Sequence, residues 1–126
     1  MRSLNKVIIL GNLTKDPENK IVGSGLSVTK FTVATNRNWT GKNETGEVHT
    51  DFHKVVVWRK LADICVKYLK KGSAVLVEGK LTNNSFKTKD DKKVSNTEIV
   101  ADEISFISYN KSKDVEEINL VEVPAI

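Results

Sequence analysis

The sequence predicts a small all-β domain with one short helix. Two observations carry this: β-rich runs recur between turn-forming residues, and a single segment, residues 61–69, has helical period. At 126 residues, with 39% hydrophobic and 29% charged content, the chain suits one globular domain with a modest core.

The first run, residues 4–10, ends at the turn signal Gly11-Asn12. Asp16-Pro17-Glu18-Asn19 and Gly23-Ser24-Gly25 read as two further turns. Residues 26–36 favour strand, with Thr29, Phe31, Val33 and Thr35 on one face and Val28, Lys30, Thr32 and Ala34 on the other. Residues 40–48 are polar, contain Gly41 and Gly46, and read as a loop; residues 50–58 are the clearest strand. Leu61, Ile64, Cys65, Tyr68 and Leu69 then fall at i, i+3, i+4, i+7 and i+8. Lys70 and Lys71 suit the negative end of that helix, and Gly72 stops it. Residues 74–81 are strand again, with Gly79 marking a bulge or bend. Residues 83–96 read as a polar, Lys-rich hairpin tip. Residues 97–109 are a last strand with Ile99, Ala101, Ile104, Phe106 and Ile107 as its apolar content. Beyond Asn110 the pattern fades, so the expected organisation is a domain over residues 1–110 and a short acidic and apolar tail over residues 111–126, whose interspersed acids and apolar residues suit either a segment that docks protein partners or a strand that pads the barrel. Three strands, a helix and two strands is the order of the OB-fold, a five-stranded Greek-key barrel.

The net charge of +4 is unevenly spread. Residues 1–113 hold all 20 bases and 12 of the 16 acids, a balance of +8; the last 13 residues hold four acids and no base, −4. A basic body with an acidic end suits a polyanion-binding domain with a separate tail, and equally a solvated surface. The lone Cys65 has no disulfide or metal partner and fits a reducing compartment. The early apolar run, Val7-Ile8-Ile9-Leu10, is too short for a signal core or a membrane span, so a cytoplasmic protein with no membrane contact is expected.

The candidate site lies on the strand at residues 50–58. Alternation sends Phe52, Lys54, Val56 and Trp58 to one face, and Asp51, His53, Val55, Val57 and Arg59 to the other. A lysine between two rings serves a stacking platform, where rings take bases and the lysine takes the phosphate between them. The competing reading buries both rings and lets Lys54 snorkel out. Trp39 opens a polar loop, a poor place to bury a large ring, and Arg37 shares its strand face if the strand reaches that far. Phe86 stands alone among Asn83, Asn84, Ser85, Lys87 and Lys89. Both rings also suit a subunit contact. Phe31, Phe106, Tyr68 and Tyr109 have aliphatic neighbours and read as core.

Asn5-Lys6-Val7-Ile8-Ile9-Leu10-Gly11-Asn12-Leu13 followed by Asp16-Pro17-Glu18 resembles the opening of the bacterial single-stranded-DNA-binding (SSB) family. So do residues 51–62, from Asp51-Phe52-His53-Lys54 through Trp58-Arg59-Lys60-Leu61-Ala62, then Tyr68-Leu69-Lys70-Lys71-Gly72-Ser73 and Val77-Glu78-Gly79-Lys80-Leu81. The likeness runs from about Leu4 to Ile107. It implies a non-enzymatic homotetramer without cofactors that binds and protects single-stranded DNA, without sequence preference, in replication, recombination and repair. It places Trp39, Phe52, Trp58 and Phe86 at base-stacking positions, and Lys42, Lys54, Lys60 and Lys71 at basic ones. Arg37, Lys80 and Lys87 complete the expected phosphate path, and His53 falls near the subunit interface. Thr82, Asn84 and Ser85 replace bases that relatives often carry, and the tail lacks the long linker and acidic Pro-Phe tip through which relatives dock replication and repair proteins.

Other classes have less support. His49 and His53 lie four apart in a strand or loop, where that spacing does not converge on a metal. Asp90-Asp91 and Glu116-Glu117 have no His or Cys partner, and no phosphate-binding glycine loop occurs. The OB-fold also hosts nucleases and sugar binders, and an SSB-like dimer acting as a replisome adaptor is a further alternative.

Overall fold

The computed structural model describes residues 2–39, 47–110 and 117–123. These form β1 (Val7–Leu13), β2 (Glu18–Val22), β3 (Leu26–Trp39), β4 (Glu47–Trp58), α1 (Arg59–Tyr68), β5 (Ala74–Lys87), β6 (Lys93–Asn110) and β7 (Glu117–Val123). β1 pairs with β5, β5 with β6, β6 with β4 and β4 with β3; β3 returns to β1 through Asn12↔Ala34 and Leu13↔Val33, closing a ring of five strands. Every pairing is antiparallel except β4 with β6, which meet in parallel at Val55↔Ile99 and Val56↔Val100. This is the expected OB-fold class, with β2 added beside β3 and β7 beside β6.

The core lies inside the ring. Val33, Val55, Val57, Val75 and Val77 are fully buried, and Leu61, Ala62 and Cys65 of α1 join them. The period read for the helix is the reason, since those three positions share its inward face. Burial pushes the Cys65 thiol up to about 12, so it stays protonated and inert. A polar clasp fastens the helix to the strands. Thr29 Oγ1, fully buried, donates to the Ala62 carbonyl at 2.8 Å and accepts from Asn19 Nδ2 at 2.9 Å. Ser27 Oγ donates to Asp63 Oδ1 at 2.6 Å and accepts from the same Asn19 amide at 2.9 Å.

The bulge signalled by Gly79 is present. Glu78 faces Glu103 and Gly79 faces Ala101, which leaves Asp102 without an opposite residue. The extra residue resets the alternation of β6, so Ile99 and Ala101 point inward before it and Ile104 after it. A Cβ on Gly79 would overlap the Val100 carbonyl oxygen, which is why the closest approach of β5 to β6 is at a glycine.

Four expectations are corrected. Glu18 and Asn19, read as part of a turn, begin β2, whose residues are nearly all exposed and so show no alternation. Residues 83–96 are not all tip: β5 runs to Lys87 and β6 starts at Lys93, with Phe86 facing Val94. Both arms are polar because they project past the core, and polarity alone reads as loop. The segment read as a fading tail contains β7, antiparallel to residues 104–110 of β6. Tyr68 is exposed rather than core; its ring lies 6.1 Å from that of Phe106, with Lys67 Nζ 5.3 Å above it. Residues 40–46, most of the expected loop, lie outside the described residues, while Glu47 and Val48 already belong to β4.

Candidate nucleic-acid interface

Residues that pair across neighbouring strands share a face of the sheet. Val28, Lys30, Thr32 and Ala34 of β3 pair with Trp58, Val56, Lys54 and Phe52 of β4. Val56 pairs with Val100, and Val100 with Lys80. Thr82, Asn84 and Phe86 of β5 pair with Glu98, Asn96 and Val94 of β6. One outer face therefore carries Phe52, Trp58 and Phe86 together with Lys30, Lys54 and Lys80. The three rings are 66%, 42% and 54% exposed, and all three lysines are exposed. Val56, between Lys54 and Trp58, is buried. Rings and cations thus stand out while the apolar residue between them sinks into the barrel wall.

The strands β4 and β6 touch at only two register positions and then diverge. Two grooves open where they part. One, of about 330 Å³, is lined by the lysines Lys15, Lys30 and Lys54 and the acids Asp16, Glu18 and Glu98, with Asn96 among the others. The second, of about 350 Å³, lies between Phe52, Lys54, Leu81, Ser95, Asn96 and Thr97, among others. Lys54 and Asn96 line both, and Lys54 Nζ donates to Asn96 Oδ1 at 3.4 Å across the gap. Glu98, whose side chain is only 14% exposed, lies 4.0 Å from Lys30 Nζ. The first groove balances three lysines against Asp16, Glu18 and Glu98, so the net positive character of this face comes from the exposed lysines beside the rings, an arrangement suited to a flexible polyanion with flat bases.

The remaining expected residues are spread around this face. Arg37 and His53 belong to the opposite phase of the β3–β4 ribbon. Arg37 Nε lies 2.8 Å from Asp51 Oδ2, and its Nη2 donates to Asp51 Oδ1 at 3.4 Å. His53 Nε2 lies 2.9 Å from Thr35 Oγ1. Lys87 ends β5 in the phase opposite to Phe86, and Lys60 is exposed in the first turn of α1. Lys71 is exposed in the turn after α1, where its backbone N–H donates to Asp16 Oδ1 at 2.8 Å. Trp39 closes β3 with its backbone opposite Glu47. Lys42 lies outside the described residues. Sequence reasoning missed Lys15, Lys30, Asn96 and Glu98. Lys30 was legible in part, since it shares a face with Val28 and Thr32, but only the register places it beside Lys54.

The model of the Single-strand binding protein family matches residues 4–107. The chain belongs to this family. Among SSB relatives, a single-stranded DNA-binding protein of Staphylococcus aureus (strain MRSA252) is 40% identical over 114 residues, covering 90% of this chain and 72% of that one. Single-stranded DNA-binding protein 2 of Listeria monocytogenes is 40% identical over 113 residues, 90% of this chain and 69% of the relative. A solved Plasmodium falciparum SSB in complex with single-stranded DNA superposes with a TM-score of 0.75 at 29% identity, over 97% of this chain and 98% of that chain. SSB proteins bind DNA and are not enzymes, so the cleft is to be read as a binding surface.

Proposed function

We propose that this chain coats single-stranded DNA without sequence preference and protects it during replication, recombination and repair. Bases stack on Trp39, Phe52, Trp58 and Phe86. Phosphates are held by Arg37, Lys42, Lys54, Lys60, Lys71, Lys80 and Lys87, joined by Lys30 and Lys15. The observation that carries this reading is the exposure of Phe52, Trp58 and Phe86 on one face, interleaved with lysines. A ring left in water forgoes its hydrophobic gain, which a stacked base restores, and every base offers a π-face. The Plasmodium falciparum relative with its bound single strand supports the same assignment.

A single barrel offers little surface to wrap a strand, and the functional unit is a homotetramer. Ile8 and Leu10, 55% and 51% exposed on the outer side of β1, support burial against another copy, with His53 near a contact. The protein acts in the cytoplasm, on the nucleoid. Recruitment of replication and repair proteins by the C-terminal segment requires β7 to leave β6. Deleting residues 114–126 separates the roles: a docking tail is removed without loss of melting temperature, and a structural strand is not.

The deciding experiment titrates the protein with polythymidine while following tryptophan fluorescence, with duplex DNA as competitor. Quenching that duplex does not reverse, together with a tetramer by light scattering, is expected. Equal affinity for duplex and single strand refutes the function, and a concentration-independent monomer refutes the assembly.

A further inference from the structure

Arg59 joins β4 to α1 with a φ of +62°, in the left-handed region. Strand alternation places it with the inward Val55 and Val57. The left-handed residue breaks that alternation, and the side chain is exposed. A Cβ makes this backbone costly, and glycine would adopt it freely. Asp91 adopts a similar φ of +59° in the turn between β5 and β6, but Arg59 has no short polar side chain to ease it, so its surroundings matter. On one side is Trp58, with its exposed ring; on the other is the exposed Lys60. The first turn of α1 contains no acid, and Asp63 one turn later accepts the Ser27 hydroxyl at 2.6 Å. Arg37 is tied to Asp51, but Arg59 has no hydrogen bond or ion pair among the described residues.

We infer that Arg59 is a further DNA-contacting residue, whose guanidinium takes the phosphate next to the base stacked on Trp58. This rests on the single-stranded-DNA reading above. A planar fork of donors can grip two phosphate oxygens at once, which a glycine at this position cannot offer. The unfavourable backbone is retained because the cation is needed beside the ring. The sequence pattern hid this, since alternation assigned Arg59 to the wrong side.

The test compares Arg59→Gly, Arg59→Lys and Lys67→Ala with the wild type in polythymidine binding over a range of salt, and in thermal melting. Arg59→Gly should melt about 2–4 °C higher, because strain is relieved. It should bind about fivefold or more weakly at low salt, with a slope of log affinity against log salt shallower by about 0.7. Arg59→Lys should keep the slope and lose part of the affinity. Lys67→Ala, which removes a charge from the other end of α1, should stay within about twofold of wild type. Arg59→Gly binding like wild type, or Lys67→Ala losing as much, overturns the inference. So does a lower melting temperature for Arg59→Gly. A wild type that fails to bind polythymidine refutes the single-stranded-DNA reading itself; a binding wild type with a neutral Arg59→Gly refutes this inference alone.

Discussion

Phe52→Ala tests the stacking platform with the least disturbance to the fold. The ring is 66% exposed, so its removal forfeits little buried area and should cost well under about 1 kcal/mol of stability. Phe31, on the inward side of β3 opposite Val55, is 6% exposed, and Phe31→Ala should cost about 3–5 kcal/mol. Binding should rank the two the other way. For OB-fold single-strand binders, stacking is worth roughly 1–3 kcal/mol per base, which converts to a loss of about five- to 150-fold for Phe52→Ala. The assay is fluorescence anisotropy of labelled polythymidine at fixed salt, with circular-dichroism melts of each variant. Phe52→Ala that binds like wild type refutes the stacking argument. If it instead melts as low as Phe31→Ala, or falls out of the oligomer, Phe52 is a packing or interface ring.

Lys54→Ala and Lys80→Ala should each flatten the salt dependence of single-strand binding by about 0.7 in log–log slope, measured by salt-titrated anisotropy. Thr29→Val keeps the shape of a fully buried residue but deprives the Ala62 carbonyl of the hydroxyl that donates to it and the Asn19 amide of one of its acceptors, so it should cost about 1–3 kcal/mol in denaturant unfolding. Cys65 adds an alkaline dependence. Its thiol ionises from the unfolded chain near 9.0 but from the fold only near about 12, so the unfolded state loses a proton first and stability falls as pH rises between them. Cys65→Ala should remove that part of the decline, as read from melts at successive alkaline pH values.

The ring of strands and its helix were legible because their residues answer to a core. Val55 and Val57 face inward between the exposed Lys54 and Trp58, and Leu61 and Cys65 repeat at helical period, since one side of each element is dry. β2 and the outer arms of β5 and β6 lack a dry side, and their sequences look like loops. The site was half legible for the same reason. Phe52, Lys54 and Trp58 share one strand, so alternation alone groups them. Their company with Lys30 on β3 and Asn96 on β6 depends on register between strands far apart in sequence, which no local pattern encodes. Arg59 was misplaced because a single left-handed residue ends the alternation rule where the strand becomes a helix.

The parallel contact between β4 and β6 has a mechanical consequence. The β3–β4 ladder runs from Val28↔Trp58 to Trp39↔Glu47, but β4 is stitched to β6 only through Val55↔Ile99 and Val56↔Val100. The ring has two such short seams, this one and the β1–β3 closure through Asn12↔Ala34 and Leu13↔Val33, and of the two this one lies beside the grooves. Lys54 stands on one lip and Asn96 on the other, so a strand of DNA held by both acts as a bolt across a short join. Its gain is then partly in stiffness: amide exchange at Val55, Val56, Ile99 and Val100 should slow on binding by more than contact with the ligand accounts for, while the long ladders change little.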